Sequence, residues 1–207
     1  MSKNKSILHW YDFLCPFCYV GQNRTAILLR HGLDVVELPF QAHPDVPALG
    51  VSVGPRKGEM YSHLEREAKQ AGLILNWPAR LPNTRRALAG AEWVRRHRPE
   101  KFTLYKDSLF AAHFVAGEDL GNPAVIDRHA AEVGIDVDAL DAALSDGSAV
   151  AAVNEAEALG RRHGVRGTPS WLVAQRLISG LLPAREFERL AEICSRDNGT
   201  EPESAAL

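Results

Sequence analysis

The chain has 207 residues, 45% of them hydrophobic, with 24 Lys and Arg against 26 Asp and Glu and a net charge of −2. That length fits one domain of ordinary size, or one domain carrying an insertion, with enough apolar residues to build a core without disulfide staples. The charge balance argues against a general nucleic-acid binder.

The pairs Arg85–Arg86, Arg95–Arg96 and Arg161–Arg162 are interleaved with apolar positions and read as solvated helix faces. There is no apolar run of membrane-spanning length and no secretory pattern in MSKNKSILHWYDF. A chain complete as given is therefore expected to be cytoplasmic, with no membrane partner.

Residues 6–13, SILHWYDF, have the apolar and aromatic content of a strand. Pro16 suits the first turn of a helix, which is predicted to run to Gly32. A second strand follows over 33–42. From Lys57 to His163 the pattern is helical, with helices predicted over 58–72, 83–97, 99–117, 122–134, 136–147 and 148–164. Asn83 or Thr84 would cap the second of these, and no strand signal interrupts the run. Strand signals return in SWLVAQRLISG, a hairpin turning near Gln175–Arg176, and a helix over 183–196 closes the chain. The polar tail RDNGTEPESAAL reads as frayed. This order predicts an α/β fold with a helical insertion: 1–56 and 164–207 form one discontinuous unit, and 57–163 the insertion.

The chemistry begins at Cys15-Pro16-Phe17-Cys18. A structural zinc wants four ligands, usually a second Cys-x-x-Cys or a closely spaced His pair. Cys194 stands alone and the histidines are widely scattered, so no metal is expected. A working dithiol fits better. Cys15 would sit at a helix N-terminus, where free N–H groups and the helix dipole favour a thiolate. Cys18, one turn in, is placed to attack a mixed disulfide and release the product. Two inert buried thiols are the competing reading. Cys194 falls on the stripe Phe187, Leu190, Ala191, Cys194, which reads as a core position. Far along the chain, Thr168-Pro169 precedes a predicted strand and marks a turn.

Together, YDFLCPFC after a first strand, helices in the middle and GVRGTPSWLV before a hairpin and last helix resemble the DsbA family of thioredoxin-fold oxidoreductases. Within it the chain is most similar to the FrnE-like cytosolic branch, related to the 2-hydroxychromene-2-carboxylate isomerases. The resemblance implies a thioredoxin-like fold with an inserted all-helical domain. It also implies that Pro169 is cis and packs on the Cys15–Cys18 pair. Thr168 would present backbone groups to an extended substrate, and its hydroxyl would lie near the sulfurs; a satisfied turn threonine is the alternative. No resident cofactor is implied, with glutathione as a co-substrate.

Three departures from the family pattern matter. Phe17 stands where the best-known periplasmic members have a histidine that helps hold the thiolate, which implies a less acidic Cys15 and a milder oxidant. His9 stands six residues before Cys15, where many thioredoxin-fold enzymes keep a buried carboxylate. Any relay to Cys18 would then be imidazole-based; a core histidine bonded to backbone is the other reading. Asp12 is expected to bond loop N–H groups. The isomerases place serine at the Cys15 position, whereas here both cysteines stand. Asn83 and Trp93 could face the site, or serve as helix cap and core aromatic.

Three function classes follow. One is a thiol–disulfide oxidoreductase acting on protein or low-molecular-weight thiols and disulfides. The second is a glutathione-dependent isomerase or transferase of small aromatic or polyketide-like molecules, and the third a non-catalytic binding module. Phe110 and Phe114, if exposed, would support a homodimer; otherwise they are core.

Overall fold

The structure, a computed structural model, describes residues 6–199. Strand β1 (Ile7–Tyr11) leads into helix α1 (Pro16–Arg30) and then β2 (Val35–Pro39), which pairs parallel to β1. After the helical stretch come β5 (Ser170–Val173), antiparallel to β1, β6 (Arg176–Ser179), and α8 (Ala184–Gly199). The sheet order is β2-β1-β5-β6.

Residues of β1 alternate between the two faces, as a strand requires. Ile7 joins Ile27, Leu28, Trp171 and Phe187 beneath α1 and α8. Trp10 joins Leu38, Phe40 and Ala156 on the opposite face. There Trp10 Nε1–H donates to the Ala156 carbonyl (3.1 Å), tying β1 to α7 (Ser148–Arg162). Gly160 of α7 lies so close to this indole that a Cβ would stand 2.9 Å from Nε1.

Between β2 and β5 lie β3 (Val51–Ser52), α2 (Glu59–Gln70), β4 (Arg80–Leu81), α3 (Arg85–His97), α4 (Pro99–Phe114), α5 (Pro123–Glu132), α6 (Val137–Ser145) and α7. The expectation of a run without strand from Lys57 is corrected here: β4 pairs antiparallel with β3, Val51 opposite Leu81. Two residues are too few to show alternation. The hairpin turn falls at Ala174–Gln175, both with positive φ, one residue earlier than expected. Without Asn-Gly, the usual signal for such a turn, the sequence gives no cue to its position.

Phe110 and Phe114 are core residues. They pack with Leu88, Tyr105 and Leu109 and with Tyr11, Phe13, Cys18 and Tyr19 from the first strand–helix unit. They therefore form no exposed dimer face.

One charged cluster crosses this core. Glu37 on β2 faces His9 on β1 in direct register. Its Oε2 lies 3.1 Å from His9 Nδ1 and its Oε1 2.6 Å from Lys106 Nζ of α4. Burial alone would raise the Glu37 pKa. The Lys106 ammonium and the His9 hydrogen bond outweigh it and lower the value from 4.5 to about 2. A folded-state pKa below the unfolded one contributes stability that is complete above pH 4.5 and is lost as pH falls towards about 2. Lys106→Met leaves a buried carboxylate without its cation and is expected to cost about 3 kcal/mol in urea unfolding at pH 7. Lys106→Met with Glu37→Gln should recover most of that loss and flatten the acid limb of the stability curve.

Candidate active site

β1 delivers the chain into the loop at Asp12, and Cys15 becomes the N-cap of α1, with Pro16 at the first helical position. Pro16 lacks an N–H where none is needed. The N–H groups of Cys18 and Tyr19 close the first turn on the Cys15 carbonyl, at 3.0 and 3.1 Å. Asp12 bonds the loop, as its position implied. Its Oδ1 accepts from Leu14 N–H (3.2 Å) and Thr84 Oγ1–H (2.7 Å), and its Oδ2 from Ala42 N–H (2.8 Å). Burial nevertheless raises its pKa.

From the other end of the chain, the Thr168–Pro169 peptide bond is cis. The Thr168 carbonyl accepts a hydrogen bond from the Cys15 thiol (3.3 Å). The Thr168 hydroxyl is buried with no hydrogen-bond partner, yet it lies close enough to lower the pKa of both thiols. Cys15, Cys18, Thr168 and Pro169 are thus brought together.

The two thiols are unequal. Cys15 is partly exposed and Cys18 fully buried; both are reduced. Burial pushes the Cys15 thiol up, but the Cys18 thiol and backbone N–H, with the Thr168 hydroxyl close by, prevail, so its pKa is lowered. Cys18 is raised, first by burial and then by the neighbouring Cys15 sulfur. The outer sulfur is the readier nucleophile.

His9 lies deeper than a site residue should. It is fully buried, stacks on Trp171 at 4.5 Å and touches Thr25 Oγ1 at 3.2 Å. A carboxylate only accepts, so Nδ1 is assigned the proton given to Glu37, leaving Nε2 without a partner. Burial lowers its pKa below 6.5 despite Glu37. It is a core histidine held by side chains rather than by backbone. Asn83 bonds Arg85 N–H, Gln41 and the Val46 carbonyl, while Trp93 stacks on His97; neither lines the site. Leu190 and Cys194 pack at the edge of the cluster under α8, where the stripe placed them.

A cavity of about 390 Å³ opens at the dithiol. Cys15, Pro16, Phe17 and Thr168 form one side, and Met60, Tyr61, Trp77 and Phe114 much of the rest. Arg56, Arg166, His43 and His113 also line it, and among the described residues no Asp or Glu does. Burial lowers the His113 pKa to about 4, so its ring is neutral at pH 7. Sequence reasoning missed these residues, although Arg166 lies two before Thr168 in the stretch that carried the resemblance.

The chain belongs to the DSBA-like thioredoxin domain family, whose pattern matches residues 6–192. It is 27% identical over 130 residues to the uncharacterized Bacillus subtilis protein YwbO, covering 60% of this chain and 64% of that one. The match thus spans less than two thirds of that relative's length.

Solved structures share the fold. A probable DsbA oxidoreductase from Streptomyces coelicolor superposes with a TM-score of 0.81 at 19% identity, covering 97% of this chain and 93% of that one. A 2-hydroxychromene-2-carboxylate isomerase gives 0.75 at 22%, covering 93% and 97%. The cytosolic disulfide reductase DsbM of Pseudomonas aeruginosa, solved with GSH, gives 0.63 at 19%, covering 94% and 98%.

If the Thr168 hydroxyl favours the Cys15 thiolate, Thr168→Val should move the Cys15 thiolate titration, followed by ultraviolet absorbance, to higher pH. It should also slow alkylation of Cys15 at neutral pH. An unchanged titration would remove that hydroxyl from the site.

Proposed function

We propose that the protein is a thiol–disulfide oxidoreductase that works through Cys15 and Cys18. The observation that carries this reading is the pairing of an accessible, pKa-lowered Cys15 at a helix N-terminus with a buried, pKa-raised Cys18 one turn in. In the exchange, the Cys15 thiolate attacks a substrate disulfide and expels one substrate thiolate, which takes a proton. Cys18, losing its proton, then attacks the Cys15 sulfur and expels the second substrate thiol. The protein loses two electrons and the substrate disulfide gains them; the reverse sequence oxidises a dithiol.

In this reading Thr168 and Pro169 support the exposed sulfur and Phe17 walls the approach to it. His9 supports β1 from within the core, stacked on Trp171. Substrates are protein or low-molecular-weight thiols and disulfides. Glutathione is a suitable co-substrate: a structural neighbour was solved with GSH, and the cavity beside Cys15 has the size class of a small-molecule site. A cytoplasmic setting belongs to the same proposal, supported by the neighbour named a cytosolic disulfide reductase. We further propose the division into a thioredoxin-like unit (1–56 and 164–207) and a helical unit (57–163), with α7 contacting both.

Cys15→Ser is expected to abolish disulfide exchange, lowering the rate at least about a hundredfold, since a hydroxyl at neutral pH is a far weaker nucleophile than a thiolate. Cys18→Ser should accumulate a mixed disulfide on Cys15, read by intact mass. Full turnover by Cys18→Ser would contradict the two-thiol mechanism and leave Cys15 working with glutathione alone.

A further inference from the structure

The net charge of the chain is −2, and most of its buried or half-buried guanidiniums are matched by carboxylates. Arg24 pairs with Glu67, Arg85 with Glu157, Arg86 with Asp127 and Asp141, and Arg95 with Glu92. The cavity at Cys15 departs from that pattern. Half-buried Arg56 and, at its mouth, exposed Arg166 both line it, and neither makes an ion pair among the described residues. They come from separate parts of the chain: Arg56 from the segment between β3 and α2, Arg166 from the loop leading to Thr168. Arg56 lies over the Tyr61 ring at 5.9 Å, and Tyr61 meets Trp77 edge to face at 5.1 Å.

A cleft lined by one sign of charge, with apolar walls, concentrates ligands of the opposite sign. The guanidinium fork also matches a carboxylate better than an ammonium does. On this basis we infer that Arg56 and Arg166 are specificity-determining residues that select small disulfides and thiols bearing carboxylate groups and disfavour cationic ones. The inference rests on the dithiol reading above and extends it to the charge of the substrate. The reacting step is unchanged: the Cys15–substrate bond forms as the substrate S–S bond breaks, and the departing thiolate is protonated from water.

The test uses three disulfides that differ only in the group two carbons from sulfur: dithiodipropionate (anionic), bis(hydroxyethyl) disulfide (neutral) and cystamine (cationic). Second-order rates with the reduced full-length protein are divided by those of dithiothreitol with the same disulfide. This cancels intrinsic reactivity and the charge of the attacking thiolate. The expected normalised order is anionic, neutral, cationic, with an anionic-to-cationic ratio of about tenfold or more at low salt that falls as salt is added.

Arg56→Gln and Arg166→Gln should each lower that ratio, and Arg166→Glu should lower it further. Arg162→Gln removes the same charge from an exposed position outside the cavity and should leave the ratio as it was. Equal normalised rates in the wild type would overturn the selectivity, as would an equal loss in Arg162→Gln, while leaving the dithiol reading standing. No exchange with any of the three disulfides would overturn both.

Discussion

The antiparallel pairing of β1 with β5 is the constraint on which the site depends. Trp10 lies opposite Ser170 in that register, so the chain leaving β1 towards Cys15 and the chain arriving at β5 through Thr168 meet at the same end of the sheet. The thiol–carbonyl bond that joins them across 153 positions, at 3.3 Å, is worth about 1 kcal/mol. It cannot hold two distant segments together. The apolar clusters on both faces of the sheet do that, Trp171 on one and Trp10 on the other. The site inherits its geometry from this packing.

Within that frame, the difference between the sulfurs comes from their positions in α1. Cys15 stands at the N-cap, outside the first turn of α1, and Cys18 is packed among Tyr19, Phe13 and Phe110. One sulfur is accessible and stabilised as the thiolate, and the other is buried and held as the thiol. Asp12 opposes this gradient mildly, since its charge raises the Cys15 pKa, but three donors fix it as the post that ties the site loop to Ala42 and Thr84. Asp12 is thus the carboxylate buried beside the site, whereas Glu37, on the strand beside His9, is ionised and paired with Lys106 in the core.

The legible part of the protein was the part with local signals. Cys-Pro-Phe-Cys after an aromatic strand marks a helix start, and the α3–α8 helices show caps and periodicity that place them within a few residues. The cavity wall was not legible. Arg56, Tyr61 and Trp77 come from a stretch whose two-residue strands show no alternation and whose course is set by a close backbone approach, where a Cβ on Gly50 would stand 2.6 Å from the Leu81 carbonyl oxygen. The Glu37–Lys106 pair was equally hidden, because it depends on strand register and on a contact between β2 and α4, 69 positions apart. Lys106 reads from sequence as a surface residue of a helix.

The central claim is that Cys15 and Cys18 interconvert between dithiol and disulfide. It is tested most directly by equilibrating the protein in graded ratios of reduced to oxidised glutathione, then alkylating and measuring intact mass. The account predicts a single two-electron transition from two alkylated thiols at this pair to an internal Cys15–Cys18 disulfide, with glutathione adducts only as minor species. Two free thiols at every ratio, or a stable glutathione adduct on Cys15 with no internal disulfide, would contradict it.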